Sequence, residues 1–395
     1  MCSFLLVTCV LCVAAGAPAQ QGRPATARRA GKLPQQLDKG IVWQRDAATG
    51  ELRVVTAERA AGAGGTNVGT SAPALRVVTD MVPVTCIVST PEGAAVPGLR
   101  REDFRVLEDG VERPIAYFDA STQPASVAIV IDASPSVLRD SQQMKDAADA
   151  LVGALAPLDQ AAVVDFSAHV YLQLPFTEVR ESVRRAVARI DARALLGDTG
   201  GSNIYEAVYL AAQELFPGRS GRKAIVLLTD GQDSGLGLTL DLASSTPHAG
   251  GASNGLTFDD VARLLASQDI QIFAVSTENR PKMMTPEWLA AHADTTLVSS
   301  ASRSWEIPPY TLYLAELVRR AGGQLYFLRE SGTMAHTFRK IAEKIRAEYT
   351  IGFYPARGPD SSMPGGGWHS LRVELVEQPS ARLFHRAAYY MPVAR

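Results

Sequence analysis

Oxygen-bearing side chains cluster where apolar stretches of this chain give way to loops. Asp132-Ala133-Ser134-Pro135-Ser136 follows the apolar run 126–131, and Thr229-Asp230-Gly231 follows the run 223–228. Between them in sequence, the loop Asp198-Thr199-Gly200-Gly201-Ser202 opens a helical stretch. Hydroxyls and carboxylates are hard ligands, and Mg2+ takes about six oxygens at roughly 2.1 Å while usually keeping some waters. Asp132, Ser134, Ser136, Ser202 and Asp230 can offer such oxygens directly or through water, with Thr199 as a rival for the loop position. Two carboxylates neutralise a divalent ion only formally, so an ion held this way wants an outside anion, such as an Asp or Glu side chain of a partner. No His, Lys or third carboxylate accompanies these motifs as a general base, which favours binding over turnover. A plainer reading uses the same residues: Ser134 or Ser136 caps a helix, and Asp230 starts a turn.

The elements that must position these groups alternate. Apolar runs at 126–131, 162–166, 223–228, 270–275 and 325–327 read as buried strands, and amphipathic stretches at 137–155, 182–190, 204–216, 258–266, 310–321 and 333–348 read as helices. Such alternation predicts an α/β fold, a doubly wound and mostly parallel sheet covered on both faces. Ligands of such sheets bind at the carboxyl ends of the strands, where the oxygen-rich loops fall.

On either side the pattern is different. Val82, Val84, Cys86 and Val88 share one side of an extended chain, and Phe104, Val106 and Leu107 lead into the turn Glu108-Asp109-Gly110. Beyond the α/β block, 349–354, 370–376 and 383–390 again read as extended. Neither set has enough strands for a core of its own, so the two are expected to pack together as one small antiparallel sandwich-like module with the α/β domain inserted in it. The expected organisation is a leader at 1–19, a low-complexity linker at 20–72 with a hairpin around 41–55, the first part of the β module at 73–122, the α/β domain at 123–348, and the rest of the β module at 349–395.

The composition is that of an ordinary globular chain: 395 residues, 46% hydrophobic, with 39 basic against 41 acidic side chains. A formal charge of -2 provides no general field for nucleic acid, so binding chemistry must be local. Cys2, Cys9 and Cys12 lie in the first twelve residues and only Cys86 remains in the body, so no disulfide within the mature chain is expected. The apolar stretch 4–15, followed by Ala17-Pro18-Ala19, has the form of a cleavable export signal and is too short for a comfortable membrane span. The mature chain is thus expected to be periplasmic, cell-surface or secreted, without a transmembrane anchor.

The D-x-S-x-S run, the Ser202 loop and Asp230 after the central strand resemble the metal-ion-dependent adhesion site of the von Willebrand factor type A (VWA) domain. The segments LRREDFRVLEDGVERPIAYF, AEYTIGFYP and FHRAAYYMP are similar to the secreted VWA-related family typical of Acidobacteria. The resemblance implies a divalent cation held by Asp132, Ser134, Ser136, Ser202 and Asp230, with Mg2+ expected and Mn2+ or Ca2+ as alternatives. It also implies an adhesion-type module that captures a carboxylate of a protein partner. Pro135 stands where Gly is more usual, Ser202 where Thr is usual, and Glu206 where Asp often follows.

Loops at 234–257, with His248, and at 278–309 follow strands on the same rim. Met283, Met284, Trp288 and Trp305 in the second are candidate apolar anchors for a partner. The chain has no G-x-S-x-G, H-E-x-x-H or G-x-x-x-x-G-K-[ST] motif, and its six histidines lack ligand spacing, so an enzyme is not expected. The competing expectation is a non-catalytic envelope scaffold whose VWA domain is structural or metal-free.

Overall fold

The computed structural model describes residues 81–355 and 367–391, except 92, 122, 135–136, 138–140, 168, 195–200, 236–237, 242–245, 250–255, 286–287, 289–306, 329–332 and 378–379; the short strands at 28–30, 42–45 and 52–55 are also described. The leader at 1–19, Ser136, Thr199 and Trp305 lie outside the described residues.

In chain order the strands are β1 Arg28–Ala30, β2 Val42–Arg45, β3 Leu52–Val55, β4 Val82–Ser89, β5 Phe104–Glu108, β6 Val111–Arg113 and β7 Ile115–Asp119. They continue with β8 Ala125–Asp132, β9 Gln160–Phe166, β10 Val170–Thr177, β11 Arg222–Thr229, β12 Leu238–Asp241, β13 Thr246–Ala249, β14 Gln271–Ser276 and β15 Gly323–Phe327. The last are β16 Glu348–Phe353, β17 Gly367–Leu375, β18 Arg382–Phe384 and β19 Ala388–Met391. The helices are α1 Ser141–Ala154, α2 Arg180–Ala194, α3 Ile204–Leu215, α4 Phe258–Gln268, α5 Pro309–Ala321 and α6 Met334–Arg346.

Strands β8, β9, β11, β14 and β15 are the apolar runs of the sequence, and they form the parallel centre of a sheet ordered β1-β10-β9-β8-β11-β14-β15. Every residue of β8 is buried, as a strand covered on both faces requires. One face packs on α3, α4 and α5 through residues such as Val208, Leu265 and Leu317, and the other on α1, α2 and α6 through Leu151, Ile190 and Ile341. The chain moves outward from β8 through β9 and then returns to β11 on the other side of β8. This reversal opens a crevice at the carboxyl ends of β8 and β11.

Strands from before and after this unit pair with one another in two four-stranded sheets, β18-β4-β16-β7 and β19-β17-β5-β6. Val84, Cys86, Val88, Val106, Ile351 and Val373 share the core between them. Cys86 is fully buried there, and burial pushes its thiol far above its ordinary value, so it acts as a small core residue.

The seam between the two units is polar as well as apolar. Arg222, at the start of β11, donates to the carbonyls of Ser121 (3.0 Å), Glu348 (2.8 Å) and Arg346, and its Nε lies 3.5 Å from the Glu348 carboxylate. One guanidinium thereby grips both places where the chain crosses between the units. From the other side, Arg386 donates to the carbonyls of Ala266 and Pro83, and Thr85 Oγ1 donates to Asp269 Oδ2 at 2.7 Å.

Several expectations need adjusting. The extended stretch 383–390 is two strands, β18 and β19, which pair in different sheets. The chain turns between them at His385-Arg386, where Arg386 is drawn into the seam. The Gly/Ser-rich loop after Asp230 holds the antiparallel pair β12 and β13, with His248 opposite Thr239. Strand β10, not foreseen, extends the sheet antiparallel to β9.

Candidate functional site

Asp132 is the last residue of β8, and its carboxylate is fully buried. Ser134 N–H donates to Oδ1 at 2.9 Å, Ser202 Oγ donates to the same oxygen at 3.1 Å, and Thr229 Oγ1 donates to Oδ2 at 2.8 Å. The Ser134 hydroxyl is also hydrogen-bonded to this carboxylate. One aspartate at the end of β8 thus draws together hydroxyls from the loop after it, the loop before α3 and the end of β11.

Each loop is fixed by its own backbone. Ala133 N–H donates to Phe166 O at 2.7 Å, so the first residue after β8 continues the pairing with β9. Asn203 N–H donates to Ser167 O at 3.0 Å, and Ser234 N–H donates to Ser202 O at 2.6 Å. Asp233 Oδ1 accepts from Ile204 N–H at 2.8 Å, capping α3 from a loop 29 residues away in the chain and holding Ser202 beside Asp132. Gly201 takes φ 87°, and a Cβ there would lie 2.8 Å from Ser234 Oγ, so the close approach of the two loops depends on glycine. Asp230 Oδ1 accepts from Gln232 N–H at 2.9 Å, and Gly231 N–H donates to Thr229 Oγ1 at 3.0 Å. The turn role of Asp230 is therefore present, in a residue only 5% exposed.

Of the residues expected to hold a cation, Asp132, Ser134 and Ser202 are in direct contact, and the buried Asp230 follows Thr229, which bonds Asp132. Burial, first of all, and the nearby Asp230 charge raise the Asp132 carboxyl above its ordinary range, while bonds from Ser134 and Thr229 pull the other way. All the donors to Asp132 named here are neutral. A buried carboxylate that repels its neighbour and is surrounded by hydroxyls suits a hard divalent cation, which would relieve both the burial cost and the repulsion. Among the described residues no three His, Cys, Asp or Glu side chains gather as a metal-binding group, so a cation here depends on hydroxyls.

The apolar anchors expected on the 278–309 loop are placed differently. Met284 is 1% exposed and belongs to the core packed on α3, α4 and α5, as does Ile307. Met283 and Trp288 are half-buried and lean on the same core. The burial that makes Met284 stabilising removes it from any partner's reach. Sequence reasoning named Thr229 in the run before Gly231 without giving it a role, and it missed Asp233. Both bear oxygen within three residues of Asp230, but only the folded loops show that one supports Asp132 and the other caps α3. Glu206, the departure noted in the helix after Ser202, is buried and accepts from Asn203 Nδ2 at 3.2 Å.

One trio outside the site has the residue types of a hydrolase. His369 Nδ1 lies 2.7 Å from Asp109 Oδ2, but Ser370 Oγ bonds Asp109 at 3.2 Å. The serine is thus joined to the acid and not to the imidazole that a nucleophile needs.

Residues 127–232, from β8 through the Asp230 loop, match the family model of the von Willebrand factor type A domain. Over these residues the chain therefore carries a VWA domain. A search of the curated proteins returns no match. Among solved structures, the conserved hypothetical protein BatB from Bacteroides thetaiotaomicron is similar at 22% identity and TM-score 0.30, over 38% of this chain and 66% of that one. A von Willebrand factor type A protein from Catenulispora acidiphila is similar at 15% identity and TM-score 0.37, over 80% of this chain and 74% of that one. Proximal thread matrix protein 1 from the mussel byssus, with a zinc-occupied MIDAS motif, is similar at 17% identity and TM-score 0.38, over 60% of this chain and 48% of that one. The chain thus spans about half the length of the mussel protein.

Proposed function

We propose that this chain is an exported, non-catalytic binding module that captures a carboxylate of a protein partner at a divalent cation, Mg2+ foremost. Asp132, Ser134, Ser136, Ser202 and Asp230 would hold the ion. When bound, it supplies an electrophilic position open to an external Asp or Glu oxygen. The observation that carries this reading is the buried Asp132 carboxylate, which gathers hydroxyls from separate loops beside a second buried acid.

The chain's own residues do the positioning. Asp132 orients Ser134 and Ser202, Thr229 fixes the second Asp132 oxygen, and Asp233 holds the Ser202 loop by capping α3. The absence of a hydrolase motif and the Ser370–Asp109 pairing support binding without turnover. The apolar segment at 4–15 with its small-residue site supports export, and among the described residues no helix is long and apolar enough to cross a membrane. A second reading, a metal-free scaffold, is favoured by the fact that Asp132 already receives hydrogen bonds on both oxygens.

The test is the binding of an acetylated aspartate-containing peptide to the full mature chain. Binding that needs Mg2+ or Mn2+ and disappears with chelator supports capture. Binding indifferent to the cation, or none at all, favours the scaffold.

A further inference from the structure

Strands β11 and β14 end side by side at the rim. Thr229 pairs with Ser276, and Thr277 N–H donates to Thr229 O at 3.1 Å, so Asp230 and Glu278 leave adjacent strand ends. Glu278 is half-buried, and its backbone N–H is tied to Ser276 Oγ at 3.2 Å, which fixes the residue without using its carboxylate. Tyr310, in the first turn of α5, closes this edge. Its Cδ2 lies 3.3 Å from where a Cβ on Gly231 would stand, so its ring covers the residue next to Asp230. Burial, then the Glu278 and Asp230 charges, hold the Tyr310 hydroxyl above its ordinary value, and at neutral pH it remains a donor.

We propose that Glu278 and Tyr310 form a selectivity edge, which favours partners whose captured carboxylate is followed by a cationic side chain and disfavours those in which a second carboxylate follows. This rests on the reading of the rim as a cation-dependent carboxylate site. A doubly charged ion shared by Asp132, Asp230 and an incoming carboxylate leaves one net negative charge, to which Glu278 adds another. A second acid from the partner meets repulsion on the β14 side, and a lysine or arginine meets attraction. The Tyr310 hydroxyl offers a hydrogen bond to the captured carboxylate whatever follows it.

The experiment compares two acetylated peptides, Gly-Asp-Gly-Lys amide and Gly-Asp-Gly-Glu amide, titrated into the Mn2+-loaded full mature chain at low ionic strength. The wild type is expected to prefer the lysine peptide by roughly three- to tenfold. Glu278→Gln should lower this preference to roughly two- to threefold, the share left by the remaining net charge of the loaded site, with Mn2+ binding weakened by no more than about tenfold and thermal unfolding as in the wild type. Tyr310→Phe should weaken both peptides by about fivefold and keep their ratio. If both peptides bind the wild type equally, or the preference is undiminished in Glu278→Gln, the charge selection is overturned while carboxylate capture stands. Undiminished binding by Tyr310→Phe removes the tyrosine's part. If neither peptide binds the Mn2+-loaded chain, the capture reading fails and the selectivity edge falls with it.

Discussion

Replacing Arg222 by Met would cut the tie between the two units at one point. The guanidinium is almost fully buried, donates to three carbonyls on both chain crossings, and faces a Glu348 carboxylate that is itself only 2% exposed. Removing one member of a buried ion pair costs about 3–5 kcal/mol, because the other charge stays in place without compensation. Burial already pushes the Glu348 carboxyl well above its ordinary range, with Arg222 pulling it down, so loss of the arginine lets it take a proton. That escape places the expected loss near the lower end, about 3 kcal/mol, part of it from the orphaned carbonyls. Urea unfolding of the wild type, Arg222→Met, Glu348→Gln and the double variant measures this directly. The double variant should be more stable than the sum of the single losses predicts, with a coupling of about 1–3 kcal/mol. Calorimetry should also show the β module of Arg222→Met melting ahead of the VWA domain, and a single transition for the wild type. A loss below about 1 kcal/mol, or strict additivity, would refute the argument that this pair clamps the crossings.

Further outcomes follow from the same contacts. His385 Nε2 accepts from Val373 N–H at 3.1 Å while Nδ1 faces Arg386 O at 2.7 Å, and burial above all holds its pKa below the ordinary histidine value. A depressed folded value means that its contribution is complete above about pH 6.5 and is lost as pH falls through the folded value. Thermal unfolding between pH 7 and pH 5 should show this loss, and His385→Gln should make the profile flatter by up to one proton. Asp233→Ala removes the cap on α3 and should cost about 1 kcal/mol in urea unfolding, with weaker Mn2+ binding, whereas Asp233→Asn keeps the acceptor and should retain most of both. Met284→Ala should cost about 2–4 kcal/mol, the loss of a core side chain, as measured by denaturant unfolding.

Much of the α/β unit is legible in the sequence because its central strands are buried on both faces. The runs that became β8, β11 and β14 are continuous apolar stretches, and the helices between them have apolar stripes. Strand β10 escaped notice since it holds Gln173 and Pro175 and is mostly half-buried, so it has no continuous apolar run. The split between β18 and β19 was hidden in a similar way. His385 and Arg386 look like surface residues in sequence, and only the folded seam supplies the carbonyls that accept from the buried arginine.

For the candidate site, the placing of Asp132, Ser134 and Asp230 on one rim was readable because strand ends mark where a parallel sheet presents its ligands, whereas Ser202 stands in the loop that opens α3. The support from Thr229 and Asp233 was not, because it depends on how separate loops meet. Met284 shows the opposite difficulty. An apolar side chain in a long loop has the same appearance whether it anchors a partner or fills the core, and burial alone separates the two. The seam likewise joins residues far apart in the chain, such as Trp368 Nε1 donating to Asp259 Oδ2 at 3.2 Å, and no local pattern announces such a pair.

The most direct test of the account is calorimetric titration of Mg2+ and Mn2+ into the full mature chain, alongside Asp132→Ala and, as a control on the exposed side of α1, Asp146→Ala. The account predicts saturable cation binding by the wild type and Asp146→Ala, and none by Asp132→Ala in a protein that remains folded. A wild type that binds neither ion, or an Asp132→Ala variant that binds as well as the wild type, would contradict it.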